Sequence, residues 1–276
     1  MKIKKRANRI HITSSGPRTG STLLAEVMKV CFDIDCSCEH EAPISASNTS
    51  FGECRNILTK LPSSTRHLEK VVNWDPNLYV ICIIRDPRDM VSSFHGKIKD
   101  KYYCDLNFWF DFLKNYEKLI NNDRVLFIKY EEFTTNPDVI QAKILNKLPF
   151  LEKKHDFSDF HLYATPTKDS ISALKKLRPI ESKGIGNWKN HLPRIKQQLS
   201  LHGDISESLI KFDYEKDANW LKLFKNVHVQ NFESYKNNKS KSWGGIKSLI
   251  LTYLNITLEK RGLNPDKILM PFKKVI

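Results

Sequence analysis

Tyr79-Val-Ile-Cys-Ile-Ile84 is an unbroken apolar run. A strand of that kind has no face to offer to water, so it belongs inside a sheet covered on both sides, as a central parallel strand does. Parallel neighbours need crossover connections, usually helices, and the chain provides both. Residues 9–15, Arg-Ile-His-Ile-Thr-Ser-Ser, alternate and include β-branched residues, which predicts a short strand. After a turn over Gly16–Thr22, Leu23–Cys31 has apolar residues at helical spacing. A second short strand is expected at 33–38. Helices are expected at 51–60 and 65–72, with Pro62 between them and Ser64 or Thr65 as N-cap. Arg124–Tyr130 reads as another strand, and 106–120 as an aromatic-rich helix. Pro87 suits the first turn of a helix to about residue 99, and Glu131-Glu132 can begin the helix that carries 138–147. Beyond 150 helices are expected near 169–177, 193–201, 204–212 and 245–260, with Gly262 placed to end the last.

The 276 residues, 40% of them hydrophobic, can bury one large core. No apolar run approaches the roughly 20 residues needed to span a bilayer. The basic start Met-Lys-Ile-Lys-Lys-Arg is followed by a stretch too short and polar for a signal peptide, so a soluble cytoplasmic protein without membrane insertion is expected. A net charge of +14 favours an anionic partner. The lysine-rich stretches at 1–6, 97–101, 175–189 and 236–247 match no helix-turn-helix, zinc-finger or RNA-recognition pattern, so no nucleic-acid partner is expected. The cysteines Cys31, Cys36, Cys38 and Cys54 lack a usual zinc-ligand spacing. All six cysteines are expected to be reduced and no metal is expected.

Ser14-Ser-Gly-Pro-Arg-Thr-Gly-Ser-Thr22 lies between the first strand and helix. The N–H groups of such a loop and the helix start behind it form an anion cradle. Arg18 adds a permanent charge with forked donors, and Ser21 and Thr22 add hydroxyls. An ATP-type phosphate loop would need glycine at position 15 and lysine at position 21; the chain has serine at both. This counts against a P-loop kinase or NTPase. Arg85 leaves the apolar strand, with Ser93 eight residues on. Both can reach one phosphate at the carboxyl edge of a parallel sheet, where open α/β sheets bind ligands.

Pro17-Arg-Thr-Gly-Ser-Thr22 resembles the 5′-phosphosulfate loop of the PAPS-dependent sulfotransferase family, in the arginine form of tyrosylprotein and many bacterial members. PAPS is 3′-phosphoadenosine 5′-phosphosulfate. Ile83–Phe94 is similar to the family's 3′-phosphate motif, with Arg85 and Ser93 at its spacing. Lys129-Tyr-Glu-Glu-Phe133 resembles the segment whose tyrosine, here Tyr130, lies near the adenine. Lys183-Gly-Ile-Gly-Asn-Trp-Lys-Asn-His191 resembles the loop that closes over the nucleotide, with Ser182 where an arginine is usual.

The resemblance implies an α/β fold, a single P-loop-like domain over 1–220 with a central parallel sheet flanked by helices. The helical spacing at 245–260 adds the expectation of a helical extension over 221–276 packed on it. It implies sulfuryl transfer from PAPS, leaving PAP, to a hydroxyl or amine of a small-molecule, carbohydrate, lipid or peptide acceptor. Arg18, Thr19, Gly20, Ser21 and Thr22 would hold the phosphosulfate, and Arg85 and Ser93 the 3′-phosphate. Tyr130, Lys183, Gly184 and Trp188 would complete the nucleotide site. Arg18 would do the electrostatic work without a metal. The general base would be Glu39 by spacing, or Glu41 next to it; His67 is a third candidate. Phe108, Trp109, Phe110 and Tyr102 could stack on an acceptor ring, although an amphipathic core helix explains them too. The rivals are a kinase or NTPase, and a non-catalytic basic protein that binds nucleotides or nucleic acid. No motif specifies the acceptor or the oligomeric state.

Overall fold

The computed structural model describes residues 7–44, 54–62, 65, 68–236, 243–261, 263 and 268. Five strands form one sheet in the order β2-β3-β1-β4-β6, every neighbouring pair parallel. They are β1 (Asn8–Ser14), β2 (Cys36–Ser37), β3 (Asn56–Lys60), β4 (Leu78–Ile84) and β6 (Val125–Lys129). Between the last two, β5 (Tyr102–Cys104) pairs with β7 (Ser234–Lys236) in a separate parallel ribbon. β4 lies between β1 and β6, as its apolar run requires. Ile81 and Ile83 pack with Leu24, Val27 and Met28 of α1 (Ser21–Cys31). Cys82 and Ile84 face the opposite cover, with Trp109 and Phe112 of α4 (Asn107–Leu119), Ile195 of α9 (Leu192–His202) and Leu209 of α10 (Ser206–Lys211). Burial of each such side chain stabilises by about 1.5–3 kcal/mol.

Several expected boundaries shift. Residues 56–60 form a strand, not a helix: all five are buried, paired with β1 on one side and β2 on the other. Four or five residues cannot separate the two periodicities, and the slot in the sheet decides. The second strand shrinks to Cys36–Ser37. The helix from Pro87, α3 (Pro87–Val91), stops well before 99. There Ser93 Oγ donates back to the Asp89 carbonyl, and Phe94 bridges to Tyr102. Asn136-Pro137 divides the helix expected after 131 into α5 (Tyr130–Thr135) and α6 (Pro137–Lys147), because a residue before proline is pushed out of the helical region. α2 (Leu68–Trp74), α7 (Phe160–Tyr163) and α8 (Lys168–Leu174) fill the remaining connections.

At the C-terminus, α11 (Trp243–Lys260) packs on α2. Tyr253 meets Trp74 edge-to-face at 4.8 Å, and Ile256 is buried with Leu68 and Val71. Gly262 lies outside the described residues. The expectation of wholly reduced cysteines is corrected: Cys36 and Cys54 form a disulfide with their Cα atoms 6.0 Å apart, within the usual span. Cys31, Cys38, Cys82 and Cys104 are free and buried. Disulfides persist in oxidising surroundings, so reduced thiols no longer argue for a cytoplasmic location. Among the described residues, no helix is long and apolar enough to cross a membrane, and no group of three or more His, Cys, Asp or Glu could hold a metal ion.

Candidate functional site

Parallel pairing puts the ends of β1, β4 and β6 on one edge of the sheet, and the loops leaving them meet there. The loop after β1 is braced from within. Ser14 Oγ lies 2.7 Å from both the Gly16 and the Pro62 carbonyl oxygens, either of which can accept its single proton, and Thr19 Oγ1 donates to the Gly16 carbonyl. Arg18 (φ +68°) and Gly20 (φ +86°) both take the left-handed backbone. That is costly for arginine and natural for glycine. A Cβ on Gly20 would lie 2.7 Å from the Tyr130 ring.

Beside this loop is a cavity of about 450 Å³. Arg18, Gly20, Ser21, Thr22, Arg85, Ser93, Tyr130, Lys183 and Gly184 all line it. Thr19 and Trp188 do not. Thr19 is fully buried; Trp188 is a core residue against the Arg88 guanidinium, 4.0 Å from its ring.

Arg85 ties three segments together. Its guanidinium donates to the carbonyls of Arg18 and Gly184, each at 2.6 Å, and lies 4.3 Å from the Tyr130 ring centroid. A Cβ on Gly184 would crowd Arg85 at 3.0 Å. Asp89, on α3, accepts from the backbone N–H of Gly186 and of Trp188, both at 2.8 Å, which pins the 183–191 loop over the cavity. Burial raises the Asp89 pKa. The Nε atoms of Arg18 and Arg85 are both buried without a hydrogen-bond partner. Burial, and next the charge of Arg85, lower the Arg18 pKa. Two close cations with unused donors suit a multiply charged anion.

The three candidate bases are placed differently. Glu39 is exposed and is not among the cavity residues; its carbonyl accepts from Thr167 Oγ1. Glu41 lines the cavity together with His40. His67 lies outside the described residues. Sequence reasoning missed Lys60, at the end of β3. Its side chain is 1% exposed and donates to Thr22 Oγ1 at 3.0 Å and Glu41 Oε1 at 3.3 Å. Burial lowers its pKa, an effect that Glu41 opposes. A lysine at the carboxyl end of a parallel strand is a recognisable signal, but only once 56–60 is read as a strand. Lys175 and Arg178 also line the cavity, and Glu181 binds Arg178 at 3.3 Å and Lys183 at 3.2 Å. Arg178 thus reaches the cavity four residues before Ser182.

Residues 44–150 match a model described as the sulfotransferase family. Sulfotransferase 1E1 of Mus musculus is 22% identical over 262 residues, covering 74% of this chain and 86% of that protein. The Bos taurus protein of the same name is 22% identical over 252 residues, covering 71% and 83%. Among solved structures, the sulfotransferase domain of the Synechococcus PCC 7002 olefin synthase aligns with a TM-score of 0.44 at 15% identity, covering 67% of this chain and 88% of that one. A mouse sulfotransferase complexed with PAP aligns at 0.42 and 19% identity, covering 81% and 86%. The chain is thus similar to the sulfotransferase family, through the family model over residues 44–150 and through curated relatives at 22% identity.

Proposed function

We propose that the chain transfers a sulfuryl group from PAPS to an acceptor hydroxyl or amine, with Glu41 as general base. The observation that carries this reading is the pairing of Arg18 and Arg85 in one cavity, each with a buried Nε lacking a partner. The cavity volume lies within the range of about 300–1,000 Å³ typical of small-molecule sites. The donor supplies an activated sulfuryl group on a phosphate leaving group. Arg18, Ser21, Thr22 and the N–H groups opening α1 hold the phosphosulfate. Arg85 and Ser93 hold the 3′-phosphate, with Arg178 in place of the arginine missing at Ser182. Tyr130 receives the adenine, and the loop pinned by Asp89 covers it. Glu41 removes the acceptor proton as its oxygen or nitrogen attacks sulfur. Lys60 orients Glu41 and Thr22 together, and Arg18 offsets charge on the departing phosphate oxygen.

A thermal-shift comparison of PAP, ATP–magnesium and an oligonucleotide tests the reading. PAP at a hundredfold excess over its Kd adds about 2.7 kcal/mol, a rise in Tm of roughly 5–10 °C for a chain of this size. Stabilisation by ATP–magnesium or the oligonucleotide without any from PAP refutes it.

A further inference from the structure

We infer that the outer face of the β5–β7 ribbon is the acceptor subsite and that it takes an acidic oligosaccharide; this rests on the sulfotransferase reading above. In β5, Tyr102 and Cys104 are buried. Side chains alternate along a strand, so Tyr103 points to the opposite face. There it meets Tyr235 of β7 at 5.8 Å and stacks on His95 at 5.5 Å with an interplanar angle of 10°. His95 also meets Tyr235 at 4.2 Å. The His95 ring is fixed in place, because Nδ1 accepts from the N–H groups of Lys97 and Ile98. The neutral ring therefore carries its proton on Nε2, as a donor. Three rings brace one another, and Tyr235 is left 47% exposed.

The face adjoins the reaction centre. Tyr103 lines the same cavity as Arg18, and the Arg18 guanidinium lies 5.7 Å from its ring centroid. Lys236 Nζ lies 5.6 Å from that centroid, and Lys97 and Lys99 are exposed nearby in sequence. From behind, Arg194 ties the ribbon to α3. It is 1% exposed and donates to the carbonyls of Val91 and Cys104, to Ser234 Oγ and to Gln197 Oε1. All four acceptors are neutral, and burial lowers the Arg194 pKa to about 10. The ribbon is thus fastened to the helix that ends just before Ser93.

An exposed ring that is rigidly held suits the C–H face of a pyranose. The His95 Nε2–H and the tyrosine hydroxyls suit its hydroxyl groups, and Lys236 suits a carboxylate or sulfate. A small phenol would instead call for an enclosed apolar slot; among the described residues Tyr235 stays 47% exposed and Lys236 Nζ stands 5.6 Å from the Tyr103 ring centroid.

The test is calorimetric titration of an alginate-derived hexuronate hexasaccharide into PAP-saturated protein. Maltohexaose, an acidic tyrosine peptide and 4-nitrophenol serve as parallel probes. Wild type is expected to bind the hexuronate in preference to the peptide and the phenol. Tyr235→Ala is expected to weaken hexuronate binding about tenfold. Lys236→Glu is expected to weaken it similarly and leave maltohexaose unchanged. PAP affinity stays within about twofold in both variants, and the exposed position of Tyr235 keeps their melting temperatures near wild type. The inference is overturned if wild type ignores the hexuronate, if Tyr235→Ala binds it equally well, or if the peptide or phenol binds more tightly. Failure of wild type to bind PAP overturns the sulfotransferase reading instead.

Discussion

Lys60→Met separates a residue held for chemistry from one held for stability. The ammonium is 1% exposed, while its partner Glu41 is 40% exposed. At their 3.3 Å separation, the Coulomb attraction is about 1 kcal/mol in water and about 5 kcal/mol at an effective dielectric of roughly 20. Solvent at Glu41 screens the pair towards the lower value, near 2 kcal/mol. Removing an ammonium from water carries a penalty of several kcal/mol, and burial indeed lowers the Lys60 pKa. Methionine has similar length and carries no charge. Lys60→Met should therefore leave stability unchanged or raise it by about 1 kcal/mol, a Tm change of roughly 2–4 °C. Turnover should fall, because Glu41 and Thr22 lose their shared donor. Loss of one such charge-assisted contact in a reacting site lowers kcat by roughly 10²–10³-fold. The assays are calorimetric melting and transfer of label from radioactive PAPS, run on the same preparations. The reasoning is refuted if Lys60→Met turns over at the wild-type rate. A Tm drop above about 10 °C also refutes it, since Lys60 would then be a structural residue.

Gly20→Ala places a Cβ 2.7 Å from the Tyr130 ring at φ +86°. It should destabilise by about 2–4 kcal/mol through left-handed strain and overpacking and abolish the PAP-induced thermal shift, read by melting with and without PAP. His11 is fully buried, and burial lowers its pKa to about 3 from an unfolded value of 6.5. Its stabilising effect is complete above pH 6.5 and is lost as pH falls, because the unfolded chain takes up the proton first. The loss by pH 5 is about 2 kcal/mol, so urea unfolding at pH 5 and pH 7 should show it in wild type, and His11→Gln should flatten it.

The sequence was legible where side-chain pattern and backbone demand coincide. β4 announces itself because a strand covered on both faces needs no polar residue, and the loop after β1 does so because Gly20 must take a positive φ against Tyr130. Legibility ended where tertiary pairing decides. Asn56–Lys60 has five residues and no clear period, so only the open slot between β1 and β2 makes it a strand. Losing that strand also hid Lys60. The β5–β7 ribbon joins residues more than a hundred positions apart through three-residue strands, too short to leave a pattern. Glu39 and Glu41 lie on one unpatterned segment, and only the fold brings Glu41 to the cavity and leaves Glu39 away from it.

Charge accounting in the cavity supports one base over the others. Five cationic side chains line it, Arg18, Arg85, Lys175, Arg178 and Lys183, and Lys60 stands behind Thr22 and Glu41. Among the described residues, three carboxylates line it: Glu41, Asp89 and Glu181. Asp89 is committed to the N–H groups of Gly186 and Trp188. A proton taken up by Asp89 would weaken the hold on the loop it pins. Glu181 is held between Arg178 and Lys183, and its pKa is lowered, first by its hydrogen bond to Lys183, which makes it a poor proton acceptor. Glu41 differs from both. It meets one buried ammonium and keeps 40% of its side chain open, so it can approach an incoming hydroxyl while Lys60 holds it beside the start of α1. Glu41→Gln should therefore lower kcat by roughly 10²–10⁴-fold, the usual worth of a positioned general base, and leave PAP affinity unchanged, whereas Glu39→Gln should change neither.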